Sequence, residues 1–162
     1  SMLLEKQLIL FINIFHSSMR QCLADVFLEK GYNLTPEQFL VMDTLWDEGI
    51  LTQQQIADIT MRDKNSIVKL IDGLEARNLV KRVNNPKDKR QNLIKVTEYS
   101  KTVKDAVTAI SYEAVQKIIN GIPREELESF VRTIARMQKN IDKDSDLEEL
   151  GRKYPTNPGG AI

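Results

Sequence analysis

Residues 51–96, LTQQQIADITMRDKNSIVKLIDGLEARNLVKRVNNPKDKRQNLIKV, constrain the fold more than any other part of the chain. Ile67, Leu70, Ile71 and Leu74 recur at i, i+3, i+4 and i+7, so one helix must turn that stripe toward a core. Its other side carries Lys64, Asn65, Ser66, Val68, Lys69 and Asp72, a mixture able to reach base edges and phosphates in a major groove. Thr52 and Gln55 have capping-box spacing and open a preceding helix that should bury Ile56 and Ile59. Asp63 caps the second helix after a turn of about four residues, and Asn78 can close it in the left-handed conformation. Strands near 80–83 and 92–96 then flank residues 84–90, whose turn formers and charges make an exposed cationic hairpin tip. Two short helices, a strand, a basic turn and a second strand make a winged helix-turn-helix.

At this point the chain resembles the MarR (multiple antibiotic resistance regulator) family of winged-helix transcription factors. The resemblance is carried by SIVKLIDGLEARNLV, then NPKDKR, then VTEYS, spaced as that family spaces its recognition helix, its wing with an Asp-x-Arg core and the Thr that opens the next helix. It implies an obligate homodimer on a pseudo-palindromic double-stranded DNA operator, with recognition helices in the major groove and wing arginines at the minor groove. Ser66, Val68 and Lys69 fall where the family contacts bases and phosphates, with Lys64 and Asn65 beside them. Asp88 and Arg90 match the wing pair, flanked by Lys87 and Lys89. Val68 stands where the family often has Thr or Ser, and Met61 where Gly is common in the turn.

The formal net charge of zero hides an uneven distribution. Residues 62–104 hold twelve Lys and Arg against five Asp and Glu, a local balance of +7 that leaves −7 on the rest of the chain. Basic charge is therefore concentrated on the proposed reader, as nucleic-acid binding requires. A single Cys excludes an internal disulfide and suits a reducing cytoplasm. No stretch approaches the ~20 apolar residues that cross a bilayer, the start of the chain lacks a signal-peptide layout, and Ser1 ahead of Met2 reads as a cloning remnant.

The 162 residues fit one mainly α domain with a small β wing, a winged helix-turn-helix DNA-binding region with helical dimerisation arms. Residues 2–30 form a long helix with Leu4, Leu8, Phe11, Ile12, Phe15, Met19, Leu23, Val26 and Phe27 on a broad apolar face, extended by Ile9, Leu10 and Ile14. So much apolar surface at one end of the sequence calls for burial on several sides, which a second subunit would supply. The DNA-binding region spans 34–96, opening with Thr35 as cap, Pro36 at the first helical position and Gln38 completing a capping box. Its first helix turns Phe39, Leu40, Met42, Leu45 and Trp46 inward. Residues 97–150 supply two more dimerisation helices. One is lined by Val103, Val107, Ile110, Ala114 and Ile118; the other, restarted at Pro123, by Leu127, Phe130, Val131, Ile134, Met137 and Ile141, with an extension toward 150. Residues 151–162 read as a loose tail.

No catalytic constellation stands out. Nucleophile-base pairs, paired carboxylates and Gly-rich phosphate loops are missing, and one His with one Cys cannot build the usual zinc site, so neither enzyme activity, metal nor cofactor is expected. The resemblance implies instead a small aromatic or amphipathic effector. Phe11, Phe15, His16, Met19, Phe39, Met42 and Trp46 are the candidates to line its pocket, although each suits an ordinary core and no Arg or Lys lies evidently among them. The expectation is a ligand-responsive repressor in the cytoplasm. Two alternatives stay open: a regulator that senses oxidants through Cys22, and a winged-helix protein-interaction module without DNA binding.

Overall fold

The structure, a computed structural model, describes residues 1–149. Leu150 and the expected tail at 151–162 lie outside the described residues. The described residues fall into two compact units, Ser1–Ala114 and the segment from Val115 onward.

The first unit begins with α1 (Leu4–Glu29), which ends at Gly31, where φ is +89°. Only Phe27 of this helix is buried, its ring 5.5 Å from that of Phe39, while Leu4, Leu8, Phe11, Ile12 and Phe15 remain exposed. Helix α2 (Pro36–Glu48) starts with the expected reciprocal cap: Gln38 N donates to Thr35 Oγ1 and Thr35 N to Gln38 Oε1, each at 3.1 Å. Its buried face is centred on Val41, Met42 and Leu45 rather than on the expected set. Leu40 points outward, and Phe39 and Trp46 are half-buried. The face is rotated because Gln38, a polar residue, is buried at the contact with a later helix.

A two-residue strand that the sequence pattern did not reveal, β1 (Leu51–Thr52), precedes α3 (Gln53–Thr60). Thr52 and Gln55 form the expected capping box. Met61 then adopts the left-handed conformation at φ 55°, the geometry that glycine adopts most readily at a helix end. Helix α4 (Lys64–Ala76) is capped by Asp63, and Asn78 leaves it with φ 59°, as expected. Strands β2 (Val80–Asn84) and β3 (Asn92–Val96) form the wing hairpin. The sheet order is β1-β3-β2, all antiparallel, with Leu51 and Arg82 both opposite Ile94. The helix-turn-helix is thereby fastened to the wing through β3, and β2 is left as an edge strand.

Helix α5 (Glu98–Ile118) is opened by Thr97, whose hydroxyl accepts from Ser100 N at 3.1 Å. Val107 and Ile110 join Val41, Met42, Leu45, Ile56, Ile67, Ile71, Leu74, Val80 and Ile94 in one core. The second unit holds the last turn of α5, a reversal through Gly121 at φ +80°, and α6 (Arg124–Ile141). No residue of α6 is buried, and Phe130, Val131 and Ile141 are well exposed. The helix stops at Ile141 instead of continuing, because Asp142 turns extended at φ −135° and its side chain accepts from Asp144 N. Among the described residues no helix is long and apolar enough to cross a membrane.

Candidate nucleic-acid interface

The two faces of α4 separate as its periodicity requires. Ile67, Ile71 and Leu74 are buried in the core, with Leu70 partly buried beside them. On the opposite face Lys64, Asn65 and Lys69 are exposed, and Val68 and Ser66 are half-exposed. Ser66 has a local role as well. Its hydroxyl donates to Asp63 Oδ2 at 2.6 Å and its backbone N–H to Asp63 Oδ1 at 2.9 Å. These bonds, the side-chain one foremost, hold the Asp63 carboxyl below its ordinary value and keep the cap charged.

The wing tip is built around Asp88. Asn85 Oδ1 accepts from Lys87 N at 3.0 Å, an Asx-type turn that reverses the chain. Asp88 then accepts from Arg90 three times: from the backbone N and Nε on Oδ1 at 3.0 and 3.1 Å, and from Nη2 on Oδ2 at 3.3 Å. The guanidinium holds the Asp88 carboxyl below the usual carboxylate range, with the backbone bond adding to it. Asp88 is half-buried, whereas the Arg90 side chain is 90% exposed. The carboxylate therefore orients a cation that projects into solvent, with Lys87 and Lys89 exposed on either side of it. All nine residues expected at this interface lie on α4 or on the wing, and each is at least partly open to solvent.

Two arginines that the sequence reading left without a role are tied into this region. Arg82 on β2 donates to Glu75 and Asp72 of α4, by Nη1 to Glu75 Oε1 at 2.7 Å and by Nη2 to Asp72 Oδ1 at 2.6 Å. Arg77, just past α4, donates by Nη1 to Gln38 Oε1 at 2.6 Å. Two carboxylates three residues apart on the polar side of α4 were the available hint for Arg82.

Of the seven candidate effector-pocket residues, the structure brings Met42 and Trp46 together at a cavity of about 200 Å³. Tyr32, Arg77, Tyr99 and Val103 share its lining, so a cation does stand there, contrary to the sequence expectation. It was hidden because Arg77 lies 31 residues beyond Trp46 in sequence and arrives through the α4–α2 packing. Trp46 Nε1 donates to the buried Ser100 Oγ at 3.4 Å. Phe39 instead packs against Phe27 with the rings tilted by 40°, Met19 is half-buried on α1, and Phe11, Phe15 and His16 lie on the exposed part of that helix. Cys22 is half-buried, also on α1.

Residues 34–91 match the model of the MarR family. The HTH-type transcriptional regulator MgrA of Staphylococcus aureus is 25% identical over 117 residues, spanning 72% of this chain and 78% of that protein. The solved structure of reduced AbfR bound to DNA has a TM-score of 0.69 at 25% identity, covering 85% of this chain and 94% of that one. A mutant of MarR from Escherichia coli complexed with operator DNA shares the fold at a TM-score of 0.75 and 18% identity, covering 85% of this chain and 99% of that one. The recognition helix, the Asp-x-Arg wing and these likenesses agree: over residues 34–91 the chain is similar to the MarR family of winged-helix transcriptional regulators.

Proposed function

We propose that the chain works as a homodimer that binds a pseudo-palindromic operator in double-stranded DNA, placing α4 of each copy in the major groove and Arg90 of each wing at the minor groove. The observation that carries this reading is the placement of charge. Lys64, Lys69, Lys87, Lys89 and Arg90 are exposed on the reader, while the opposite side of α4 is closed into the core. AbfR, which resembles this chain, was solved on DNA. The exposed apolar stripe of α1, and separately the unburied apolar residues of α6, support a second copy as the missing cover. Two-fold symmetry would set half-site centres about 10 base pairs apart.

The regulator is read as a repressor released by a small effector. The cavity beside Trp46 supports this, because aromatic walls with one guanidinium suit a single-ring anionic molecule. Binding there changes DNA affinity only by the effector's differential affinity for the two arrangements of the dimer. Selection of bound fragments from the source genome, followed by fluorescence anisotropy on the recovered duplex and sedimentation of the free protein, tests the reading. A dimer that prefers the recovered duplex over random sequence is expected. A monomer, or equal affinity for any duplex, would overturn it.

A further inference from the structure

Carboxylates on the outward face of a DNA reader can accept from a cytosine amine but repel the phosphates, and α4 carries two, Asp72 and Glu75. On a helix, Asp72 lies one turn beyond Lys69 and Val68, and Glu75 one turn beyond Asp72. Their side chains are 62% and 42% exposed. Left alone, they would set negative charge beside the groove of a polyanion. Arg82 meets both. Its side chain is only 19% exposed, and its two terminal nitrogens are divided between the two carboxylates at 2.6 and 2.7 Å. Its own backbone N–H donates to Glu75 Oε2 at 3.2 Å, so the same carboxylate also satisfies a donor of edge strand β2. A planar guanidinium can serve two acceptors at once, whereas a lysine ammonium offers a single point charge.

We propose that Arg82 is a positioning residue that masks Asp72 and Glu75 and thereby sets how strongly the reader discriminates its operator from other DNA. Bound to both acids, Arg82 offsets part of their negative charge at the surface that faces the duplex. Sequence-independent attraction then rests on Lys64, Lys69 and the wing, and the acids are paired with a cation of β2 while staying partly open to solvent. This inference rests on the DNA-binding reading above.

The test uses the 162-residue chain and the duplex recovered by selection, with a random duplex of equal length as comparison, across a salt series. Arg82→Ala should weaken binding to both duplexes by about tenfold or more at low salt, since two unmasked carboxylates then oppose the phosphates. Adding Asp72→Asn and Glu75→Gln to that variant should restore affinity to within about threefold of the wild type, which a merely structural role for Arg82 would not produce. Asp72→Asn with Glu75→Gln and an intact Arg82 gives a second readout that does not require Arg82→Ala to fold. The released guanidinium should tighten binding to the random duplex several-fold, steepen its salt dependence by about one unit, and narrow the preference for the operator. Failure of the acid replacements to rescue Arg82→Ala, or unchanged random-duplex affinity in the double variant, would overturn the masking role while leaving DNA binding intact. A wild-type protein that binds neither duplex would overturn the DNA-binding reading, and this inference with it.

Discussion

A β-carbon placed on Gly73 of α4 would stand 2.6 Å from Gln38 Nε2 on α2, so these two residues fix how closely the helices approach. Gln38 cannot easily yield, because its Oε1 already accepts from Thr35 N and from Arg77 Nη1. Gly73→Ala would gain roughly 1 kcal/mol of helix propensity. It would also displace a buried carboxamide with two hydrogen bonds, one of them charge-assisted, at a cost of about 2–3 kcal/mol. Urea denaturation should show a net loss of about 1–2 kcal/mol; a stabilised variant would mean that Gln38 relocates freely.

Lys69 and Arg90 stand on the outer surface and touch no part of the core. Lys69→Ala and Arg90→Ala should each weaken operator binding and lower the salt slope by roughly one unit, with an unchanged urea midpoint. Asp88→Asn makes a companion test. It leaves Arg90 present but loosely held, so a smaller loss of affinity with the full salt slope is expected.

Ile67 is fully buried and Leu70 is only partly so, which separates two positions that periodicity alone treats as equal. Ile67→Ala should destabilise the protein by about 2–4 kcal/mol, and Leu70→Ala by closer to 1. Equal losses in denaturation would show that Leu70 is covered in solution, as it would be if a partner packed there.

Burial raises the Asp43 carboxyl from 3.8 to about 6, the neighbouring Asp47 adds to the rise, and Lys104 opposes it. The folded protein therefore holds this proton over a range where the unfolded chain has released it. The contribution is present below about pH 4 and is lost as pH rises through 6. Asp43 is half-buried, so solvent screening leaves an effect on the order of 1 kcal/mol. Relative to wild type, Asp43→Asn should gain that much stability between pH 4 and pH 8 in parallel urea titrations. No change in the difference across that range would refute the assignment.

Local chemistry made much of this fold legible in advance. The caps at Thr35, Thr52 and Asp63 and the left-handed Asn78 are decided by residues within one turn of each other. The pattern around Asp88 and Arg90 likewise closes within three residues. What escaped was settled across the sequence. Strand β1 exists because Leu51 pairs with Ile94, and two residues offer no alternation to detect. Arg82 meets α4 from ten residues away, Arg77 meets Gln38 from 39, and the outward turn of Leu40 follows from Gln38 claiming the contact with α4. The predicted extension past Ile141 failed on Asp142, whose carboxylate engages Asp144 N and ends the helix.

The indole at the seam of α2 and α5 gives the protein a reporter of its own. Trp46 is the chain's single tryptophan, it lines the cavity, and its N–H rests on the Ser100 hydroxyl. Its emission therefore comes from one place. A molecule entering beside it, or a slip of α5 along α2, would change the colour or intensity of that light in unlabelled protein. Contacts confined to the wing, which has no tryptophan, would leave that emission unchanged.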